Sequence, residues 1–371
     1  MFCHVTQRKF SDFALSMDNA AIEKRLPYLG ALELTYRCNQ ACCHCYCNLG
    51  IGDKRKADEL TAREIKNILD QAADAGCLWL LLTGGEVLLR EDFGEIYLYA
   101  LKKGMFVEVF TNATLINERS AALFAEFPPL GIDISFYGSN YSLHDRVSGV
   151  AGSFKKMIRG IEWLKKNKVR FSLKTVLMTI NYADLAKMRD FAKGLGAEFR
   201  YDTLICPRAD GGMLPAQYRL SPEQMAGLDI EEDYEACEQI FSGFWNKKLG
   251  DFMSCGAGSF AFNINPYGVL SPCTMFGSFQ YPLRQMPFGD SWKKLVADYG
   301  KRKNEFIAHE CRLCSMLLIC SNCPAWSELE AKSLNKKVDY ICEYAKTLER
   351  QYFTKKEECG YGKEILSETG D

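Results

Sequence analysis

An α/β fold built on parallel strands is what this 371-residue sequence predicts, and two observations carry the prediction. Short apolar runs alternate with segments of helical periodicity, giving six strands over residues 29–206. The cysteine, glycine and polar clusters of that stretch fall just after apolar runs, where α/β proteins with right-handed crossovers gather their chemistry. Six units are too few to close an eight-stranded barrel, so an open partial barrel or a doubly wound sheet is expected.

Residues 1–28 form a preamble in which no long apolar block follows the charges, unlike a secretory signal. LGALELTY (29–36) reads as a strand running into CNQACCHCYC (38–47). Thr61 with Glu64 makes a capping box, and Ile65, Ile68, Leu69, Ala72 and Ala73 keep helical spacing up to Gly76. CLWLLLTGG (77–85) is then a buried strand. A helix over 91–103, a strand over 105–112, a helix over 117–126 and a strand over 131–138 continue the rhythm. A helix over 153–167, a strand over 169–178, a helix over 182–194 and a strand over 197–205 complete it. From Cys206 the alternation stops, and 207–254, with proline, a Gly-Gly pair and EEDYE, read as a bridge. Residues 255–345 hold seven further cysteines, and 346–371 are the end of a helix and a loose tail.

Lysine plus arginine (46) balances aspartate plus glutamate (47), so no basic excess exists to hold nucleic acid or an anionic membrane. No apolar run reaches the ~18–20 residues of a membrane span. A cytoplasmic, reducing location is expected, and there 17 cysteines are poor disulfide partners and good ligands for soft metals. Only 4 histidines are present, which points to all-sulfur ligation.

Cys38, Cys42 and Cys45 form C-x3-C-x2-C on the loop after the first strand. Three thiolates from one short loop can hold three irons of a cubane cluster and leave the fourth without a protein ligand. Cys43 and Cys47 share the segment but fit no equally good spacing. The run CNQACCHC followed by Tyr46 resembles the cluster loop of the radical S-adenosylmethionine (SAM) enzymes. That resemblance implies a [4Fe-4S] cluster whose open iron binds the amino and carboxylate groups of SAM. It also implies reductive cleavage of SAM to a 5′-deoxyadenosyl radical that abstracts hydrogen from the substrate. Gly84-Gly85-Glu86 is similar to the family's GGE motif, which meets the SAM amino group, with Val87 where proline is common. Thr111-Asn112 resembles the ribose-side motif, and Ala113 stands where glycine is frequent. Ser135, in ISFYG, resembles the polar residue of the fourth strand that reaches the ribose or carboxylate, and Arg146 is a further candidate for the carboxylate. Singly, Gly84-Gly85 is a common turn, Asn112 a common helix cap and Ser135 an ordinary strand polar group. Their order and shared position at strand ends favour one site. The family resemblance implies a partial (β/α)6 TIM-like barrel over 29–206.

Cys255 opens a C-x12-G-x4-C pattern through Gly268 to Cys273, and C-x2-C-x5-C-x2-C follows at Cys311, Cys314, Cys320 and Cys323, then Cys342. This is similar to the seven-cysteine SPASM extension, one residue short of the usual final C-x3-C. The likeness implies a first auxiliary [4Fe-4S] cluster on Cys255, Cys273 and Cys323, and a second on Cys311, Cys314, Cys320 and Cys342. The first set lacks one protein ligand, for which Cys237, water and the substrate are the alternatives. Structural zinc is the competing reading, but a five-residue gap is short for a zinc ribbon and seven cysteines exceed its four ligands. Cys3, Cys43, Cys47, Cys77, Cys206, Cys237 and Cys359 read as buried or incidental, with Cys206 a candidate hydrogen-atom donor near the last strand's end.

The resemblance implies an enzyme that modifies a ribosomally made peptide by crosslinking, thioether formation or epimerisation. A small-molecule or tetrapyrrole-modifying enzyme is the alternative, and a non-catalytic iron–sulfur electron carrier is the alternative of another class. The GGE, TNA and ISFYG segments argue against a carrier, which has no need to hold SAM. A sulfatase-maturing role is weakened by Thr274, where those enzymes carry aspartate after the equivalent of Cys273. With the first strand near residue 29, no peptide-binding domain of about 80 residues is expected ahead of it. A separate leader-recognition protein is therefore an expected partner, with flavodoxin or ferredoxin as electron donor. Asp133 and Asp202 are candidate acids or bases, with ion pairing the competing role.

Overall fold

The computed structural model describes residues 20–358 except 22, 48, 233, 244–254, 303–305, 307–310, 313, 318, 319 and 321. The preamble's first 19 residues, with Cys3, and the tail with Cys359 lie outside the described residues. Among the described residues, no helix is long and apolar enough to cross a membrane.

The chain opens with β1 (Leu29–Thr35) and α1 (Ala62–Asp74), followed by β2 (Trp79–Gly84) and α2 (Phe93–Lys102). Next come β3 (Phe106–Thr111), α3 (Glu118–Glu126), β4 (Gly131–Ser135), α4 (Tyr141–Ser148) and α5 (Ser153–Lys166). The expected alternation ends with β5 (Ser172–Val176), α6 (Leu185–Leu195) and β6 (Glu198–Asp202). The capping box forms as read: Thr61 Oγ1 accepts from the Glu64 N–H, and Glu64 Oε2 accepts from the Thr61 N–H at 2.8 Å. The helix behind it buries Ile65, Ile68, Leu69 and Ala72 on one stripe. Each of the isoleucine and leucine side chains, fully buried, contributes about 1.5–3 kcal/mol relative to exposure.

β1 pairs parallel with β2, β2 with β3, β3 with β4 and β4 with β5. Beyond this the sheet departs from the six-stranded expectation. β7 (Ala261–Ile264) adds parallel to the free edge of β1, and β8 (Val269–Ser271) and β9 (Tyr281–Pro282) continue antiparallel. The resulting nine-stranded sheet runs β9-β8-β7-β1-β2-β3-β4-β5-β6 and is open, a partial barrel with three extra strands. A tight turn makes the antiparallel reversal. Asn265 Oδ1 accepts from the N–H groups of Tyr267 and Val269, and Gly268 sits at φ +80 with a Cβ there only 2.9 Å from Leu60 Cδ2.

Local readings differ at three places. The strands expected over 169–178 and 197–205 are shorter, and the helix expected from 182 begins as a 3-10 turn, Tyr182–Asp184. α4 was not expected; Asn140 caps it by accepting from the Leu143 N–H, and Gly149 ends it at φ +68. The stretch read as a bridge contains α7 (Pro222–Glu232) and α8 (Tyr234–Gly243), whose acidic residues hid two helices.

The chain falls into two compact units. One comprises residues up to 175, 186–200 and 255–302, ending with α9 (Phe288–Arg302). The other comprises 176–185, 201–254 and the chain from 303 on, including α10 (Pro324–Ala331) and α11 (Asp339–Glu358). The cut thus passes inside the 255–345 segment. In the second unit Ala345, Leu348 and Tyr352 of α11 share a core with Ala226 and Ile230 of α7.

Candidate functional site

The cysteine loop leaves β1 through a buried polar knot. Arg37 Nε and Nη2 donate to Glu59 Oε1 and Oε2 at 3.0 and 3.1 Å, and Thr35 Oγ1 donates to the same carboxylate. The bidentate pair sets the direction in which the loop departs. The end of β2 packs directly on this exit: the Gly85 N–H donates to Thr35 O at 2.6 Å and the Glu86 N–H to Arg37 O at 2.9 Å. A Cβ on Gly84 would stand 2.3 Å from Thr35 O, and one on Gly85 2.2 Å from Arg37 O. The close approach that requires both glycines is therefore to the cysteine loop's own backbone. From the other side α4 grips the loop, with Ala41 N–H donating to Ser148 O and Cys43 N–H to Val147 O.

Cys38, Cys42 and Cys45 interact electrostatically with one another. Burial pushes Cys38 up to about 11 and Cys42 higher still. Polar groups are turned toward these sulfurs. The Gln40 N–H reaches Cys38 Sγ at 3.4 Å and Asn112 Nδ2 reaches it at 3.7 Å, while the Tyr137 hydroxyl lies 3.8 Å from Cys42 Sγ. Cys47 is buried with its Sγ 3.9 Å from that of Cys45, and Cys43 is held up by burial, with Arg146 acting in the opposite sense. Two buried polar atoms on this loop, Gln40 Nε2 and His44 Nδ1, have no protein partner. Three thiols, donors aimed at them and two unsatisfied polar atoms suit a thiolate-bound cluster with a polar ligand beside it.

The other singled-out residues fall around this loop in different roles. Glu86 is fully buried and saturated: its carboxylate accepts from Leu88 N–H (3.0 Å), Thr111 Oγ1 (2.8 Å) and Asn112 N–H (2.8 Å). Desolvation raises its pKa against those hydrogen bonds. It thus ties the end of β2 to the end of β3. Asn112 Nδ2 also donates to Asn39 Oδ1 at 2.8 Å, which links β3 to the cysteine loop. Ser135 hydrogen-bonds Tyr137. Arg146 is exposed on α4, facing Cys43 electrostatically. Asp133 is engaged by Ser172 and Arg200, which is the ion-pair role and not that of a poised base.

Sequence reasoning passed over Tyr137, His44, Gln40 and Glu33. Tyr137 is mostly buried, and the buried His44 ring stands edge-on to it at 4.9 Å; desolvation lowers the His44 pKa to about 4. Glu33 is a fully buried carboxylate in β1 that accepts from the Tyr46 hydroxyl, from the Tyr36 hydroxyl (3.0 Å) and from Asn263 Nδ2 (3.0 Å). Burial raises its pKa against these donors. A charged residue inside an otherwise apolar strand was the visible signal for it.

The later cysteines divide between the units. In the first, Cys255 is exposed and Cys273 follows β8, its carbonyl accepting from Ser271 Oγ. In the second, Cys311, Cys314, Cys320 and Cys342 line one pocket together with Met316, Leu317, Val338 and Ala345. Burial, followed by the charges of the other three thiols, pushes Cys320 up to about 11. Among the described residues, no three histidine, cysteine or acidic side chains close to the spacing of a single ion. The four thiols line this pocket together, and four thiolates are the ligand set of a [4Fe-4S] core as well as of a zinc ion. Cys323 begins α10 and packs, with Cys206, on Trp326, Val338 and Ile341.

Residues 32–192 match the Radical SAM superfamily. The chain is 27% identical over 322 residues to an AdoMet-dependent heme synthase of Methanosarcina barkeri, covering 81% of this chain and 91% of that protein. It is 26% identical over 309 residues to a PqqA peptide cyclase of Granulibacter bethesdensis, covering 78% and 80%. The fold matches the crystal structure of Streptococcus suis SuiB bound to its precursor peptide SuiA, with a TM-score of 0.65 and 17% identity over 92% of this chain and 84% of that one.

Proposed function

Since the chain belongs to the radical SAM superfamily and is an iron–sulfur enzyme of that kind, we propose that it modifies a ribosomally made peptide. One observation carries the reading: three half-buried thiols of a single loop stand beyond β1, with the Gln40 N–H and the Asn112 amide turned toward Cys38, in a chain similar to a peptide cyclase. Cys38, Cys42 and Cys45 would hold the [4Fe-4S] cluster. SAM held beside that cluster would supply the radical chemistry that removes hydrogen from the substrate.

The protein's part is to orient and to shield. Asn112 and the Gln40 N–H offset charge on the Cys38 sulfur. Glu86 keeps Thr111 and Asn112 facing the loop, and Gly84 and Gly85 let β2 close on it. Gly84–Glu86, Thr111, Asn112, Ser135 and Arg146 are assigned to the SAM side by their likeness to the family's motifs. Two auxiliary [4Fe-4S] clusters complete the proposal, one on Cys255, Cys273 and Cys323 and one on Cys311, Cys314, Cys320 and Cys342. The shared pocket of the latter four supports the second. A separate leader-recognition protein and a flavodoxin or ferredoxin are the proposed partners.

The test is 5′-deoxyadenosine formation from SAM by anaerobically reconstituted, dithionite-reduced protein, with Cys45→Ala as control, followed by mass spectrometry of a peptide encoded beside the gene. A peptide losing hydrogen only with the wild-type enzyme supports the reading; SAM cleavage that responds to no peptide overturns its substrate class. The heme synthase similarity favours a second reading, a tetrapyrrole substrate, which requires tight tetrapyrrole binding by the same protein.

A further inference from the structure

Resting on the iron–sulfur reading above, we propose that Cys206 is a protein ligand of the auxiliary cluster bound by Cys323, supplying the thiolate that the sequence pattern leaves missing. Cys206 lies just past β6 in the second unit. Its side chain packs on the patch formed by Trp326, Val338 and Ile341, which Cys320, Cys323 and Tyr340 also touch. Of the charged groups acting on Cys206, the Cys323 thiol is the strongest, followed by Arg219.

The pair is held by a common scaffold. Arg219 Nε donates to Ile205 O, the carbonyl just before Cys206, at 2.9 Å, and its Nη2 pairs with Glu330 Oε2 at 2.6 Å. The guanidinium stacks on Tyr340 at 4.7 Å and on Trp326 at 5.2 Å. Trp326 and Glu330 belong to α10, the helix that Cys323 opens, and Trp326 Nε1 donates to Glu330 Oε2 at 2.8 Å. One cation therefore fixes the backbone before Cys206 and the helix that carries Cys323. Buried cation, aromatic clamp and paired cysteines make a preorganised ligand site.

Cys237, the alternative the sequence offered, belongs elsewhere. Its Sγ donates to Asp229 O at 3.7 Å, and it packs among Ala226, Ile230 and Phe241 in a cluster flanked by Cys314 and Cys320. A consequence follows for chemistry. With Cys206 bound, the cluster that Cys323 holds gains a protein sulfur at the position otherwise left to water or substrate, and Cys206 is no free thiol to give a hydrogen atom. A cluster ligated in this way passes electrons and does not hold the peptide.

The test uses the full chain carrying Cys38→Ala, Cys42→Ala and Cys45→Ala, reconstituted anaerobically, so that only auxiliary clusters contribute about eight irons per chain. On this background, Cys206→Ala is expected to lower iron toward about four, or to shift the electron paramagnetic resonance of one reduced cluster and make it respond to added imidazole. Cys206→Ser, which keeps size and a weaker ligand atom, is expected to retain the fold by circular dichroism and still move that cluster's midpoint potential. Cys237→Ala is expected to leave iron and spectra unchanged. Unchanged iron, spectra and potentials in both Cys206 variants overturn the proposal, as does a spectral change confined to Cys237→Ala. A parent protein that takes up no auxiliary iron overturns the auxiliary-cluster reading together with it.

Discussion

The cysteine loop after β1 and the cysteines around the pocket of the second unit bring half-buried thiols together in different surroundings. Burial pushes Cys38 and Cys320 alike to about 11. Around Cys38 the neighbours are polar and anchored: a backbone N–H, the Asn112 amide and, one step behind, the saturated Glu86 carboxylate. Around Cys320 they are mostly apolar, Met316, Leu317, Val338 and Ala345, with one backbone hydrogen bond from Asn322 and with Lys337 and Lys346 also lining the space. Hydrogen bonds to sulfur favour the more negative state of a cluster, and an apolar wall disfavours it. The same ligand type thus meets two settings, one with a side-chain donor that substitution can remove and the other with a largely apolar wall.

The largest expected effect separates the sites outright. Cys45→Ala should abolish 5′-deoxyadenosine formation, a loss of at least about a thousandfold, and remove about four of twelve irons while leaving the auxiliary signals. Cys320→Ala should do the converse in iron analysis, removing about four irons while reductive SAM cleavage persists without coupled peptide turnover. Equal loss of both signals in either variant would break the comparison.

Next in size is the support behind the polar site. Glu86→Ala strands three buried donors and should destabilise the protein by about 2–4 kcal/mol in urea unfolding, with Glu86→Gln costing less. Asn112→Ala should keep the iron yet move the SAM-site cluster to a more negative midpoint potential, since a donor to Cys38 is gone. A potential unchanged within error would show that the amide only positions Asn39.

The smallest effect lies away from both sites. Hydrogen bonds from Arg284 hold the Glu64 carboxyl at about 2, below its ordinary 4.5. Because the folded-state value is depressed, the stabilisation is present above about pH 4.5 and fades as pH falls toward 2. Glu64→Gln should cost about 0.5–1 kcal/mol at pH 7 and nothing at pH 2, as read by thermal melts across that range.

Legibility in the sequence followed range along the chain. The Thr61–Glu64 box and the starts of β1 and β4 depend on residues within a few positions of each other, and they stand where periodicity put them. The C-x3-C-x2-C loop and the segments after β2, β3 and β4 were readable because parallel α/β topology sends strand ends to one side. The partnership of Glu33 with Asn263 spans 230 residues and had no local sign. α7 and α8 were missed because an acidic, glycine-bearing stretch masks helical spacing.

What the sequence by itself determined is the repeating βα order, the cysteine spacings and the family they resemble, since these are written in local patterns and residue types. Only the tertiary structure decided that β7 lies beside β1, in register from Leu29–Ala261 to Leu32–Ile264. It alone decided that the paired glycines pack on the cysteine loop, that Glu86 ties β2 to β3, and that Cys206 shares its patch with Cys323. Such contacts join residues far apart in the chain, and their partners are selected by how buried surfaces and hydrogen-bonding groups fit once the elements pack.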